Sequence, residues 1–173
     1  MKIGLLKEPD FENRVALLPE AVQKLVKKGH EVLFEPEAGG KAFAADSDFT
    51  DAGGNKTDRA NIIKQAELLL SIHPLDEKEI DSLNEKQVLV GVYNPLVNKE
   101  LVMKLKDKGV TLISLDNLPR TTRAQAMDIL SSMATVAGYQ AVLEAARRLP
   151  KFFPMFMSAA GTIKPSKMLI IGA

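Results

Sequence analysis

Five short apolar runs recur in the first 114 residues, and helical spacing fills the gaps between them. Lys2–Leu6 reads as a short buried strand. Ala21, Val22, Leu25 and Val26 then recur at helical intervals, with Pro19 suited to a first turn. Lys27-Lys28-Gly29 has the basic residues and glycine of a helix end. Glu31–Glu35 is the next strand. A strand, a helix and a strand within some 35 residues form a βαβ unit, which crosses over right-handed.

The alternation continues. A short helix is expected near Asp46–Ala52, and Thr57-Asp58 can cap a helix through Gln65. Strands are expected at Glu67–Ile72, Gln87–Val92 and Val110–Ser114, with helices at Glu77–Leu83 and Asn98–Lys108 between them. The pattern predicts an open, largely parallel α/β sheet with helices on both faces. It then breaks. Gln125–Arg148 reads as one long helix, with Met127, Leu130, Ala134, Ala137 and Ala141 on one arc and Gln125, Asp128, Ser132 and Thr135 on another. Residues 151–165 read as a connector, and Lys167–Ile171 as a new strand ending at Gly172.

Composition excludes several classes. The 23 basic and 22 acidic residues leave a net charge of +1, too little to attract nucleic acid or anionic lipid. Aromatic content is 5%, so base-stacking platforms are not expected. With no cysteine there is no disulfide, thiolate metal site or thiol nucleophile, and His30 and His73 alone do not make a zinc site; no metal is expected. No apolar run approaches the ~20 residues of a membrane span.

The densest polar cluster is Arg120, Gln125, Asp128 and Ser131. Arginine donates through a planar fork, glutamine donates and accepts, aspartate accepts, and serine does either. A carboxamide-bearing ring such as nicotinamide wants this mix. A capped, solvated helix entrance is the plainer reading of the same residues. Arg14 follows the first strand, where open α/β sheets hold ligands, and can grip a carboxylate or pair with Glu12. His73, just past a strand end, is an acid–base candidate or a structural residue. His30 and the glycine pairs read as turns, and Asp76–Asp81 as a solvated face. Ile-Ile-Gly172 is at most the opening of a glycine-rich phosphate loop.

Glu12-Asn-Arg-Val-Ala16 with Pro19, Gly29-His-Glu-Val32 and Ala38-Gly39 resemble the N-terminal domain shared by alanine dehydrogenase and the alpha subunit of NAD(P) transhydrogenase. Pro119-Arg120, Ala124-Gln125, Met127-Asp128, Leu130-Ser-Ser-Met-Ala134 and Ala137-Gly-Tyr139 are similar to transhydrogenase in particular. The resemblance implies a Rossmann-like N-terminal domain at 1–124, a linker helix and connector at 125–165, and the first strand of a truncated NAD-binding Rossmann domain at 166–173. It implies hydride transfer from NADH to NADP⁺ coupled to proton translocation. NAD(H) would contact this chain through Arg120, Gln125, Asp128 and Ser131, with NADP(H) on a partner domain and no catalytic acid or base.

Further expectations from the resemblance are a homodimer, partnership with the rest of the alpha subunit and with membrane and NADP-binding subunits, and a cytoplasmic place at the inner face of the membrane. Since the family continues through a complete glycine loop, the chain alone is expected to bind NAD weakly or not at all. The alternative is alanine dehydrogenase, whose family uses an arginine for the pyruvate carboxylate, matched by Arg14, a lysine after the third strand and a histidine after the fourth. The nearest residues here are His73 and Asn94, and asparagine is no general acid or base. Leu18 stands where the family often has a hydroxyl residue. A third class is a non-catalytic docking domain on an α/β scaffold.

Overall fold

A computed structural model describes residues 1–172, which divide into two compact units, Met1–Asp128 and the residues from Ile129 on. The first unit is a six-stranded sheet: β1 (Lys2–Leu5), β2 (Glu31–Phe34), β3 (Asn55–Lys56), β4 (Leu68–Leu70), β5 (Val88–Gly91) and β6 (Thr111–Ser114). Its spatial order is β3-β2-β1-β4-β5-β6, and every neighbouring pair runs parallel. The chain steps outward from β1 to β3, then crosses back past β1 to β4 and steps out the other way. This open parallel sheet with covering helices is Rossmann-like.

The period-two alternation of the strands assigns the two faces. Ile3, Leu5, Val32 and Phe34 pack with Val22 of α1 (Pro19–Lys27) and Phe49 of α2 (Asp46–Asp51). The Phe34 and Phe49 rings stack with centroids 5.2 Å apart. Leu33, Leu69 and Leu89 pack on the opposite face with Ile62 and Ile63 of α3 (Arg59–Gln65), Ile80 of α4 (Glu77–Asp81) and Leu105 of α5 (Lys99–Asp107). Gly4 lets α3 lie close to β1, because a Cβ there would meet Ile62 Cγ2 at 2.4 Å. Asp58 caps α3 by accepting the Asn61 N–H at 2.9 Å.

The second unit holds α6 (Ile129–Arg148) and an antiparallel hairpin of β7 (Phe156–Ser158) and β8 (Gly161–Ile163). No α6 residue is buried. Glu144 anchors its last turn by pairing with Arg147 at 2.9 Å and Arg148 at 2.6 Å.

Four details correct the sequence-based expectations. The long helix begins at Ile129, because Gln125–Met127 forms a tighter 3₁₀ turn. Met127 therefore leaves the expected arc. The connector contains a hairpin, closed at Gly161 with φ 128°. Lys167–Ile171 forms no strand, since a strand exists only by pairing and these residues have no ladder partner among the described residues. Strand β3 is additional: Asn55 and Lys56 are exposed and polar, and join through backbone pairing with Leu33 and Phe34. Among the described residues no helix is long and apolar enough to cross a membrane.

Leu18 is the N-cap residue of α1 and offers no side-chain oxygen to the helix. Leu18→Ser should therefore raise stability by about 0.5–1 kcal/mol in urea titration. Gly91→Ala should cost roughly 3 kcal/mol by the same measurement. Its new Cβ would fall 2.1 Å from the Ser71 carbonyl oxygen and 2.9 Å from Tyr93 Cε2.

Candidate functional site

Strand order reverses between β1 and β4, so the loops after these strands diverge and leave a crevice at the sheet's carboxyl edge. Glu8, 7% exposed, enters from the β1 side. Its carboxylate accepts the N–H of Ile72 at 2.6 Å and of His73 at 3.0 Å, lacing the two loops together. The His73 ring makes a second tie, with Nε2 3.1 Å from Glu12 Oε2. An ionised carboxylate only accepts, so Nε2 carries the proton. Phe11 packs edge-on against that ring at 5.0 Å.

Glu12 also receives Arg14 in a fork, Nε to Oε1 at 2.8 Å and Nη2 to Oε2 at 2.6 Å, and the Arg14 backbone N–H at 3.0 Å. The Arg14 side chain holds the Glu12 carboxyl down at about 2 against an opposing effect of burial, with further help from the Arg14 backbone and His73.

A second knot lies beside the first. Arg59 donates to the Lys7 carbonyl at 2.9 Å, to Glu35 at 2.8 Å and to Glu79. Burial lowers the Arg59 pKa, but the bonds from Glu79 and Glu35 outweigh it and the net shift is upward. An open cleft of about 400 Å³ lies over this knot, lined by Lys7, Glu8, Asp10, Glu35, Arg59 and Glu79 among others. Among the described residues no group of three or more His, Asp or Glu side chains is arranged to hold a metal ion.

The polar cluster singled out from sequence, Arg120, Gln125, Asp128 and Ser131, is not part of these knots. Arg120 and Gln125 are exposed in the segment that leaves β6, and Gln125 opens the 3₁₀ turn. Asp128 ends that turn and is half-buried, with its backbone N–H on the Gln125 carbonyl at 3.2 Å. Ser131 is exposed on α6, and its carbonyl accepts the Thr135 hydroxyl at 3.1 Å. Both Asp128 and Ser131 are engaged within the chain. Arg14 and His73 converge on Glu12. Asn94 opens the β5–α5 loop in a left-handed conformation, φ 46°, and its carbonyl accepts the N–H of Val97 at 3.0 Å and Asn98 at 2.9 Å. Asparagine tolerates that geometry better than most residues, which gives Asn94 a structural reason to be there.

Sequence reading missed Glu8, Arg59 and Tyr93. A carboxylate shortly after a buried strand was one available signal. Another was Arg59 itself: a cation in a helix's first turn opposes the macrodipole and needs anionic partners. Tyr93 is 1% exposed, and its hydroxyl meets no hydrogen-bond partner in bonding geometry among the described residues. Burial raises its pKa, with the nearby Ser71 hydroxyl pulling the other way.

The family model described as "Alanine dehydrogenase/PNT, N-terminal domain" matches residues 4–137. The NAD(P) transhydrogenase subunit alpha of Haemophilus influenzae is 39% identical over 174 residues, covering 100% of this chain and 34% of that protein. The alanine dehydrogenase of Halomonas elongata is 31% identical over 177 residues, covering 99% of this chain and 47% of that protein. Among solved structures, the transhydrogenase from Sinorhizobium meliloti superimposes with a TM-score of 0.88 at 34% identity, over 95% of this chain and 50% of that one. The chain thus spans between a third and a half of the relatives it matches.

Because Glu12 ionises near 2 when folded and near 4.5 otherwise, its stabilisation is complete above about pH 4.5 and is lost as pH falls towards 2. Glu12→Gln should remove about 1–2 kcal/mol at pH 7, since Arg14 stands half in water, and should flatten the acid limb of a Tm-against-pH curve.

Proposed function

Because the chain belongs to the family of the alanine dehydrogenase/PNT N-terminal domain, we propose that it is the N-terminal part of an NAD(P) transhydrogenase alpha subunit. Its role is to orient the nicotinamide of NAD(H) for hydride transfer to NADP⁺ on a partner domain. The observation that carries this reading is the segment leaving β6, which keeps Arg120 and Gln125 exposed beyond the carboxyl edge of the sheet.

The donor set fits the cofactor. Arg120 donates to a carboxamide or phosphate oxygen, Gln125 pairs both ways with a carboxamide, Asp128 accepts from its NH₂, and Ser131 completes the set. The dinucleotide, when bound, supplies the hydride. The chain's own task is positioning and exclusion of water, which needs no acid or base. In the proposed arrangement residues 1–124 form one domain, 125–165 link it onward, and 166–173 begin the NAD-binding domain. The exposed apolar residues of α6, such as Leu130, Val136 and Tyr139, support a homodimer. Membrane and NADP-binding subunits complete the assembly, which couples hydride transfer to proton translocation at the inner face of the cytoplasmic membrane.

Alanine dehydrogenation is the competing reading, favoured by Arg14 and His73 at the switch point. Deaminating an amino acid needs a proton-transferring group, and Asn94 supplies none. Activity with pyruvate and ammonia in the full-length protein would select that reading.

In the complete enzyme, Gln125→Ala or Asp128→Ala should lower NADH-dependent hydride transfer about tenfold or more, with Tm shifted by only a few degrees. Unchanged turnover would count against the assignment. Calorimetry on the 173-residue chain should give NADH binding weaker than micromolar.

A further inference from the structure

The segment that carries Arg120 and Gln125 leaves β6 at Ser114, where the β5–β6 ladder ends opposite Gly91. Immediately beyond the ladder, side chains replace strand pairing. Ser114 Oγ accepts the Tyr93 N–H at 2.9 Å and donates to Asp116 Oδ1. The same Asp116 oxygen lies 3.4 Å from the Asn94 backbone N–H. Asp116 sits in the 3₁₀ turn Leu115–Asn117, and both it and Ser114 are half-buried. The donor side of this contact is itself stiff. Asn98 Nδ2 donates to the Tyr93 carbonyl at 2.9 Å, and the Tyr93 ring is buried.

From Pro119 to Asp128 the backbone hydrogen bonds are local: Thr121 to Pro119, Ala124 and Gln125 to Thr121, Met127 to Ala124, and Asp128 to Gln125. Local turns fix the shape of a segment but not its direction. Direction comes from anchors, which among the described residues include the buried Ala124 and the Ser114–Asp116 link to the β5–α5 loop.

We propose that Asp116, acting through Ser114 and the Tyr93–Asn94 backbone, is a positioning residue that aims the 119–128 segment at the nicotinamide. The inference rests on the transhydrogenase reading and adds a residue to it. Asp116 works as a fixed hydrogen-bond acceptor and does not touch the cofactor. Asparagine keeps an acceptor oxygen at the same place, so charge is not required.

The test uses Asp116→Ala, Asp116→Asn and Ser114→Ala in the complete enzyme and in the 173-residue chain. A misplacement of about 1 Å costs up to roughly a hundredfold in rate. Asp116→Ala should therefore lower kcat for NADH-dependent hydride transfer about tenfold while KM for NADH moves less than about threefold. Asp116→Asn should restore kcat to within about twofold. In the chain alone, amide exchange over residues 118–128 should quicken in the alanine variant and return to wild type in the asparagine variant. If Asp116→Ala does not fold, Ser114→Ala carries the same comparison. Wild-type kcat and exchange in the alanine variant would overturn the proposal, as would an asparagine variant as slow as alanine. If the wild-type enzyme itself transfers no hydride, the transhydrogenase reading fails, and the exchange result still decides whether Asp116 aims the segment.

Discussion

Everything in the first unit depends on β1. It is hydrogen-bonded on one edge to β2 and on the other to β4, and both of its faces are covered. Ile3 and Leu5 face α1 and α2, while Gly4 turns its bare backbone to α3. Burying such side chains contributes about 1.5–3 kcal/mol each. A strand held from four directions fixes where its carboxyl end lies. Because the chain departs from β1 to one side and returns at β4 on the other, the loops there diverge, and the crevice follows from connectivity.

Carboxylates then organise that edge. Glu8 ties the β4 loop to β1 through two backbone N–H groups, and Glu12 gathers Arg14 and His73. Arg59 does the converse, drawing Glu35, Glu79 and the Lys7 carbonyl to one guanidinium. Removing one partner of such a part-buried pair leaves an uncompensated charge, which is costlier than the pair's net worth. These knots make the switch-point loops a rigid platform beside β5 and β6.

The proposed chemistry asks for such a platform. Hydride transfer between two nicotinamides gains from alignment and dryness, not from a proton donor. Amino-acid deamination needs a proton-transferring group, and the resemblance to alanine dehydrogenase implies one after β5. This chain has Asn94 there, in a left-handed conformation, with its carbonyl closing the turn that precedes α5. The contrast between positioning and acid–base chemistry thus turns on the β5–α5 loop, and the Asn94 N–H of that loop faces Asp116 in the turn after β6.

The alternation of apolar runs with helical stretches determined the parallel sheet, because strand burial on two faces and right-handed crossovers leave few other arrangements. The motif around Arg120–Ala134 determined the family likeness. Local signals such as Asp58, Pro19 and Gly29 set helix ends, since capping is decided within a few residues. Contacts distant in sequence were not legible: Arg59 reaching Lys7, Glu8 reaching Ile72, Asp116 reaching Asn94. Neither was β3, whose polar residues join by backbone alone, nor the lack of a strand at Lys167–Ile171, which reads apolar but has no described neighbour to pair with. Hydrophobic periodicity records which face of an element is buried. Which polar groups meet at the carboxyl edge is settled only when strand order brings their loops together, and that information is spatial.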